Sequence, residues 1–172
     1  YSSQWGASSG DIIANASGTA LYVSQELIWK EQRITPKFSF HTTKYAGYRP
    51  EVLGSSYTEQ ILKDYNGQTY WLSVNLHSFA NGSKIPKWLN VALGYGAEGM
   101  ITGNKENTTT TYTPNPQRFR QLYLSLDVDL TKIKTNSYFL KTIFSVFNSV
   151  KIPAPTIEFV QFNDIKYHFI YF

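Results

Sequence analysis

The chain of 172 residues contains no cysteine. That excludes a disulfide framework, a thiolate metal site and a cysteine nucleophile. Charge is also scarce, at 16% of residues against the usual quarter. The net charge of +4 is spread out. There is no basic run and no nucleic-acid module, so a nucleic-acid partner is excluded. No signal peptide is visible and residue 1 is not Met, which reads as a processed or truncated start. The most apolar stretch, 12–29, carries Asn15, Ser17, Gln25 and Glu26 and makes a poor lipid-facing helix. His41, His77 and His168 lack any H-x-x-x-H spacing. No metal site and no cofactor are therefore expected. Sequons begin at Asn15, Asn81 and Asn107 and are read as chance matches.

What the chain does have is aromatic residues: 13 Tyr, 11 Phe and 4 Trp, in a sequence of negative mean hydropathy. Few charges with many aromatics suits a barrel with aromatic girdles and a polar interior. The stretch 118–130 is the clearest element. Leu122, Leu124, Leu126, Val128 and Leu130 share one face, and Tyr123, Ser125, Asp127 and Asp129 share the other. Period two predicts a strand with two unlike faces. Ten residues span about 33 Å, or about 23 Å when tilted, close to the apolar band of an outer-membrane barrel. The stretch 88–100 repeats the pattern, with Gly94 and Gly96 on the polar face. Glycine there leaves space for a sharp bend or for a bulky group packed across the interior.

Other elements follow in order. Gly10, Ala14 and Gly18 recur every fourth residue in a helix expected over about 9–30, capped by Ser8 or Ser9; such a stripe permits close packing. Strands are expected over 33–43 and 70–77, with a short helix at 57–63 and a turn at Asn66-Gly67. The polar loop 102–117 reads as exposed. A helix near 137–151, capped by Thr135 or Asn136, has an apolar side and ends before Pro153 and Pro155. Strands 156–162 and 165–172 flank Asn163-Asp164 as a hairpin. By parity Tyr167, Phe169 and Tyr171 form one aromatic face of the last strand, leaving Phe172 with His168 and Lys166.

The fold expected is mainly β with accessory helices: an antiparallel transmembrane β-barrel of about eight strands if complete. Residues 1–32 form a helical N-terminal segment and 33–172 the barrel, within a single domain. About six strands are visible, so either 44–57 hides strands or a missing N-terminal part supplies them. With a periplasmic C-terminus, loop 102–117 falls outside the cell, and the helix near 137–151 lies on the membrane or plugs the barrel.

Four blocks carry a resemblance: WGASSGDIIANASG, LKDYNGQTYWLSVNL, PKWLNVALGYGAEGM and IPAPTIEF. Together they resemble the YfiM-like domain of unknown function, an envelope family of Bacteroidota-type Gram-negative bacteria. The blocks occur in order across most of the chain. The resemblance implies an exported outer-membrane protein. It also implies a further segment ahead of the first block, expected to be missing from this chain. It implies no activity.

The candidate chemistry is thin. Asp127 and Asp129 share one strand face that Glu98 is a candidate to join, with His77 and His41 on polar faces elsewhere; a Ser/His/Asp arrangement can be assembled from Ser73 or Ser125, His77 and Asp127. No G-x-S-x-G elbow accompanies it. Lumen acids paired with Lys or Arg are the ordinary filling of a small barrel. Arg118 and Arg120 share the parity of Leu122 and sit just past its apolar band, where they are placed to contact lipid headgroups. The expected function is a non-enzymatic structural or accessory subunit of an outer-membrane complex. Its expected partners are membrane lipids or lipopolysaccharide and other outer-membrane proteins. The alternatives are a lipid-modifying enzyme of the same membrane, an acyl hydrolase or acyltransferase, and a soluble periplasmic β-rich binding protein.

Overall fold

A computed structural model describes residues 9–80, 82, 84–101, 116–161 and 164–172. The chain divides after Arg33 into two compact units.

The first unit is the helix α1, Ser9–Trp29, close to the span expected. Ser8 lies outside the described residues, so its expected cap does too. The helix stops where Lys30 turns left-handed at φ 57°, a conformation that breaks the helical run. The following turn is tied back to the helix. Arg33 N donates to Gln25 Oε1 at 2.9 Å, and the Arg33 guanidinium lies over the Trp29 ring and pairs with Glu31. Gly10, Ala14 and Gly18 stand exposed, and nothing packs within 4 Å of a Cβ placed on Gly18.

The second unit is mainly β. Its six strands are β1 Ile34–Phe40, β2 Gln68–Asn75, β3 Leu89–Glu98, β4 Phe119–Val128, β5 Ala154–Val160 and β6 Asp164–Tyr171. They form one open antiparallel sheet in chain order. The helices are α2 Tyr45–Tyr48, α3 Pro50–Leu53, α4 Tyr57–Lys63, α5 Leu76–Phe79 and α6 Tyr138–Phe147. Residues 44–57 hold helices, so the alternative that this stretch hides strands is not met. The loop 102–115 and Asn163 lie outside the described residues.

Alternation decides which side chains are covered, and the covered set is polar. In β4, Gln121, Tyr123, Ser125 and Asp127 are buried while Leu122, Leu124 and Leu126 are 36%, 38% and 47% exposed. In β2, Trp71, Ser73 and Asn75 are buried and Tyr70 and Leu72 are exposed. In β3, Asn90, Ala92, Gly94 and Gly96 are buried and Leu93 and Tyr95 are exposed. The sheet thus turns its polar side chains inward and its leucines outward.

The sheet curls tightly around that polar face. A flat sheet would separate β2 from β6 by four spacings, about 19 Å. Yet the Tyr171 ring of β6 lies 6.2 Å from Trp71 of β2, and its hydroxyl donates to Tyr123 of β4 at 2.8 Å. Tyr171 reaches inward because β6 slips by one residue. Ala154 pairs with Tyr171 but Thr156 with His168, a bulge between them. This corrects the expected parity. Tyr171 leaves the face of Tyr167 and Phe169 and joins the polar side.

Two boundaries also move, each for a local reason. Strand β4 ends at Val128 rather than 130 because Asp129 caps a 3-10 turn, Leu130–Lys132, through Thr131 N at 3.0 Å. Helix α6 is capped by Ser137, not Thr135 or Asn136, and ends at Phe147. The next residues leave to flank β1: Phe38 N donates to Ser149 O and Lys151 N to Phe38 O, both at 2.9 Å.

The glycines of β3 make room for a bulky group, as the sequence allows. A Cβ on Gly94 would lie 2.6 Å from the Trp71 ring, which is itself pinned by Tyr123 and Tyr171. Gly94→Ala is therefore expected to cost about 1–3 kcal/mol in chemical unfolding. Combining it with Trp71→Phe should restore part of that loss, giving a clearly non-additive double-mutant cycle.

Candidate functional site

The curl brings one carboxylate to the centre of the polar face. Asp127 is 1% exposed. Its Oδ2 accepts from Ser73 Oγ at 2.5 Å and pairs with Lys37 Nζ at 2.8 Å. Its Oδ1 accepts from Ile152 N at 3.2 Å and lies 3.9 Å from Lys151 Nζ. Around it, Asn90 Nδ2 donates to Ser73 Oγ at 2.8 Å and Asn75 Nδ2 to Asn90 Oδ1 at 2.7 Å. The pairing Asn90↔Asp127 and Asn75↔Asn90 puts these side chains in one row across the sheet.

Lys151 is the unusual member. It is fully buried, 5.1 Å from the centre of the Trp71 ring, and its Nζ donates to Leu126 O at 2.7 Å and Ile152 O at 2.6 Å. Burial pushes its pKa down to about 8; nearby Asp127 opposes the shift and Lys37 adds to it. One carboxylate serves two ammonium groups: Lys37 holds it at 2.8 Å, and Lys151, at 3.9 Å, directs its N–H groups to two carbonyls.

A second polar cluster lies at the other end of the strands. Gln121 Nε2 donates to Glu98 Oε2 at 3.2 Å and to Glu158 Oε1 at 2.7 Å. Tyr45 Oη donates to Glu98 at 2.9 Å, and the His168 ring hydrogen-bonds Glu158 at 2.6 Å. Beside them is a cavity of about 260 Å³ lined by His41, Tyr45, Glu98 and Gln121 among others. His41 Nδ1 is buried with no hydrogen-bond partner among the described residues. Burial lowers the His41 pKa against the raising pull of Asp64, Glu98 and Glu158.

The sequence candidates are thus only partly brought together. Ser73 meets Asp127, but Ser73 is 0% exposed and uses both its donor and its acceptor inside the network. His77 sits in α5, not on a strand, and its Nδ1 is 2.9 Å from Ile85 O. Asp129 is spent on its cap. Glu98 does not join the aspartates: along β3 it is eight residues from Asn90, the partner of Asp127, about 27 Å of strand. No imidazole is in place to take the Ser73 proton, so the arrangement provides no activated nucleophile. Arg120 stands exposed on the leucine side next to Leu122, and Arg118 is half-buried. Lys37 had an inward parity that the sequence displayed. Lys151 follows a helix rather than lying in a strand and gave no such signal.

Comparisons with family models, curated proteins and solved structures each return no match. Among the described residues no helix is long and apolar enough to cross a membrane, and no group of His, Cys, Asp and Glu is arranged to hold a metal ion.

Two outcomes follow from the cluster. Asp127→Ala strands buried ammonium charge and is expected to cost about 3–5 kcal/mol, while His77→Ala stays near about 1 kcal/mol; thermal or denaturant unfolding separates them. Because the folded pKa of Lys151 is depressed, the unfolded chain binds the extra proton between about 8 and its ordinary value of 10.5. Stability should therefore rise with pH above about 8, until tyrosine ionisation in the unfolded chain intervenes near about 10. Lys151→Met should flatten that rise in unfolding series across pH.

Proposed function

We propose that the six-stranded sheet is part of the wall of an outer-membrane β-barrel, with its leucine face in lipid and its polar face toward the lumen. The protein acts as a non-enzymatic structural or accessory subunit of the envelope. One observation carries this reading. The sheet buries Lys37, Asp127 and Lys151 while Leu72, Leu93, Leu122, Leu124 and Leu126 stay between 36% and 57% exposed. Soluble monomers rarely leave so broad an apolar face uncovered. In lipid, that face and that interior are the normal arrangement.

Strand length supports the same reading. Strands β3 and β4 have 10 residues each, about 23 Å of height when tilted against a band of roughly 25 Å. Strand β6 adds support: Tyr171 turns inward while Tyr167 and Phe169 stay exposed, Tyr167 on the leucine side opposite Ile157. The resemblance to envelope proteins of the YfiM-like kind points the same way. Closure of the wall takes strands beyond these six, since the smallest single-chain barrels have eight, and at the β1 edge 149–151 already occupies Phe38. The lipid-modifying alternative draws no support from Ser73, which is buried without a base.

The test is Leu124→Lys. In a lipid-facing position it costs about 2–4 kcal/mol and lowers the membrane-assembled fraction. On the wet face of a soluble sheet it changes stability by no more than about 0.5 kcal/mol. A wild-type chain that stays monomeric and folded in detergent-free buffer would also sink the barrel reading.

A further inference from the structure

The two ends of the sheet differ in charge. At one end β2 finishes, β3 starts, β4 finishes and β5 starts, with α5 and α6 in the connections. Residues 75–90 and 130–157 contain no Asp or Glu at all. The β4 carboxylates that reach that end, Asp127 and Asp129, are buried and used internally. Lys84, Lys87, Lys134 and Lys141 are exposed there. The other end mixes signs: Arg49 pairs with Glu51 and Lys63 with Glu59.

The same acid-free end exposes aromatic side chains. Trp88 is 42% exposed, Phe139 72% and Tyr138 85%, with Lys141 over the Tyr138 ring at 5.3 Å. In α6, Ile143 and Phe144 are half-buried, while Phe139 and Val146 face away from cover. Tryptophan and tyrosine favour the membrane–water interface, and lysine favours an anionic leaflet. A short helix with an apolar arc and a flanking lysine lies in that interface plane.

We propose that this end, formed by 84–88 and α6, docks on an anionic phospholipid surface, with Lys84, Lys87, Lys134 and Lys141 on the headgroup phosphates and Phe139 and Val146 in the acyl boundary. The assignment rests on the membrane reading and deepens it by naming the lipid class and the end that meets it. Charge selects the occupant. Four exposed lysines in segments 75–90 and 130–157 that hold no Asp or Glu complement a negative surface, and the interleaved aromatics suit a lipid boundary rather than a wet protein contact.

The full chain, held in neutral detergent micelles, is titrated with short-chain phosphatidylglycerol or with short-chain phosphatidylcholine. Trp88 emission is followed, with Trp88→Phe as the blank. The expected result is a response to phosphatidylglycerol at lower concentration, weakened by salt. Each Lys→Ala change at 84, 87, 134 or 141 should weaken the response about fivefold. Lys→Arg at the same positions keeps it, and Lys63→Ala at the opposite end leaves it unchanged. Equal responses to the two lipids, or an unchanged response in Lys84→Ala and Lys134→Ala, overturn the assignment. So does displacement by polyglutamate in preference to the lipid, which marks an acidic protein partner. A chain that needs no detergent yet still selects phosphatidylglycerol overturns the barrel alone. A detergent-dependent chain indifferent to headgroup charge overturns this inference alone.

Discussion

The Asp127 carboxylate must be neutralised, and much of the unit's geometry follows from how that is done. Its ion partner Lys37 belongs to β1, three spacings away, about 14 Å in a flat sheet. The contact is 2.8 Å, so the sheet must curl for the pair to exist. Ser73 adds β2 to the same point, and Ile152 N adds the segment that runs beside β1. One buried group thus ties three strands and a connection. Removing two charges from water is costly, and the cost is met only when every remaining polar group has a partner. Asn90, Asn75 and the carbonyls around Lys151 supply them. The network also fixes register. A slip of one residue in β4 would turn Asp127 to the outer face and drive Leu126 among buried polar groups.

This arrangement was half legible in the sequence. Alternation in 88–100 and 118–130 marked both strands and both faces, because period two survives whichever side is buried. It places Asp127 and Gly94 on the polar side of their strands, where the structure has them. It failed where the chain leaves strict alternation. His77 continues the alternation of 70–77, but Asn75 accepts from Ser78 N and starts a helical turn one residue beyond β2. Asp129 kept the parity of Asp127 and reads as its neighbour, yet a capping aspartate looks the same in sequence as a network aspartate. Lys151 lies between a helix and a strand, where neither period assigns a direction. Helix boundaries shifted for a similar reason: a backbone edge at Phe38 competes with the helix for residues 149–151, and sequence periodicity does not register such long-range pairing.

The last strand shows how a single inserted residue changes the reading of a whole face. Without the bulge, Tyr171 would point away and nothing from β6 would reach Trp71. With it, Tyr171, Tyr123 and Trp71 form an aromatic wall of tilted and edge-on rings, with Tyr123 and Tyr171 rings 4.7 Å apart. The wall separates the Asp127 network from the Glu98 and Glu158 cluster. Gly94 follows from it, since no side chain fits under Trp71. Bulge, tyrosine, tryptophan and glycine therefore form one dependent set spread over four strands.

The balance of buried groups bears on where such a unit is stable. Among the described residues, eight hydrophobic side chains are buried against eighteen polar or charged ones. Hydrogen bonds exchanged with water contribute little net stability each, about 0.5–1.5 kcal/mol, whereas ordering the chain costs about 1–2 kcal/mol per residue. A polar interior of this kind contributes little net stability, and the larger apolar area lies on the outer face. In lipid the comparison changes. The outer leucines lose no hydration to regret, and an unpaired strand in the unfolded chain would leave backbone groups unsatisfied in hydrocarbon. The inverted pattern is then self-consistent, because the medium supplies the apolar contact and the Asp127 network supplies the specificity. That is the physical ground on which the membrane reading stands, and it rests on the distribution of exposure along β2, β3 and β4 rather than on any catalytic feature.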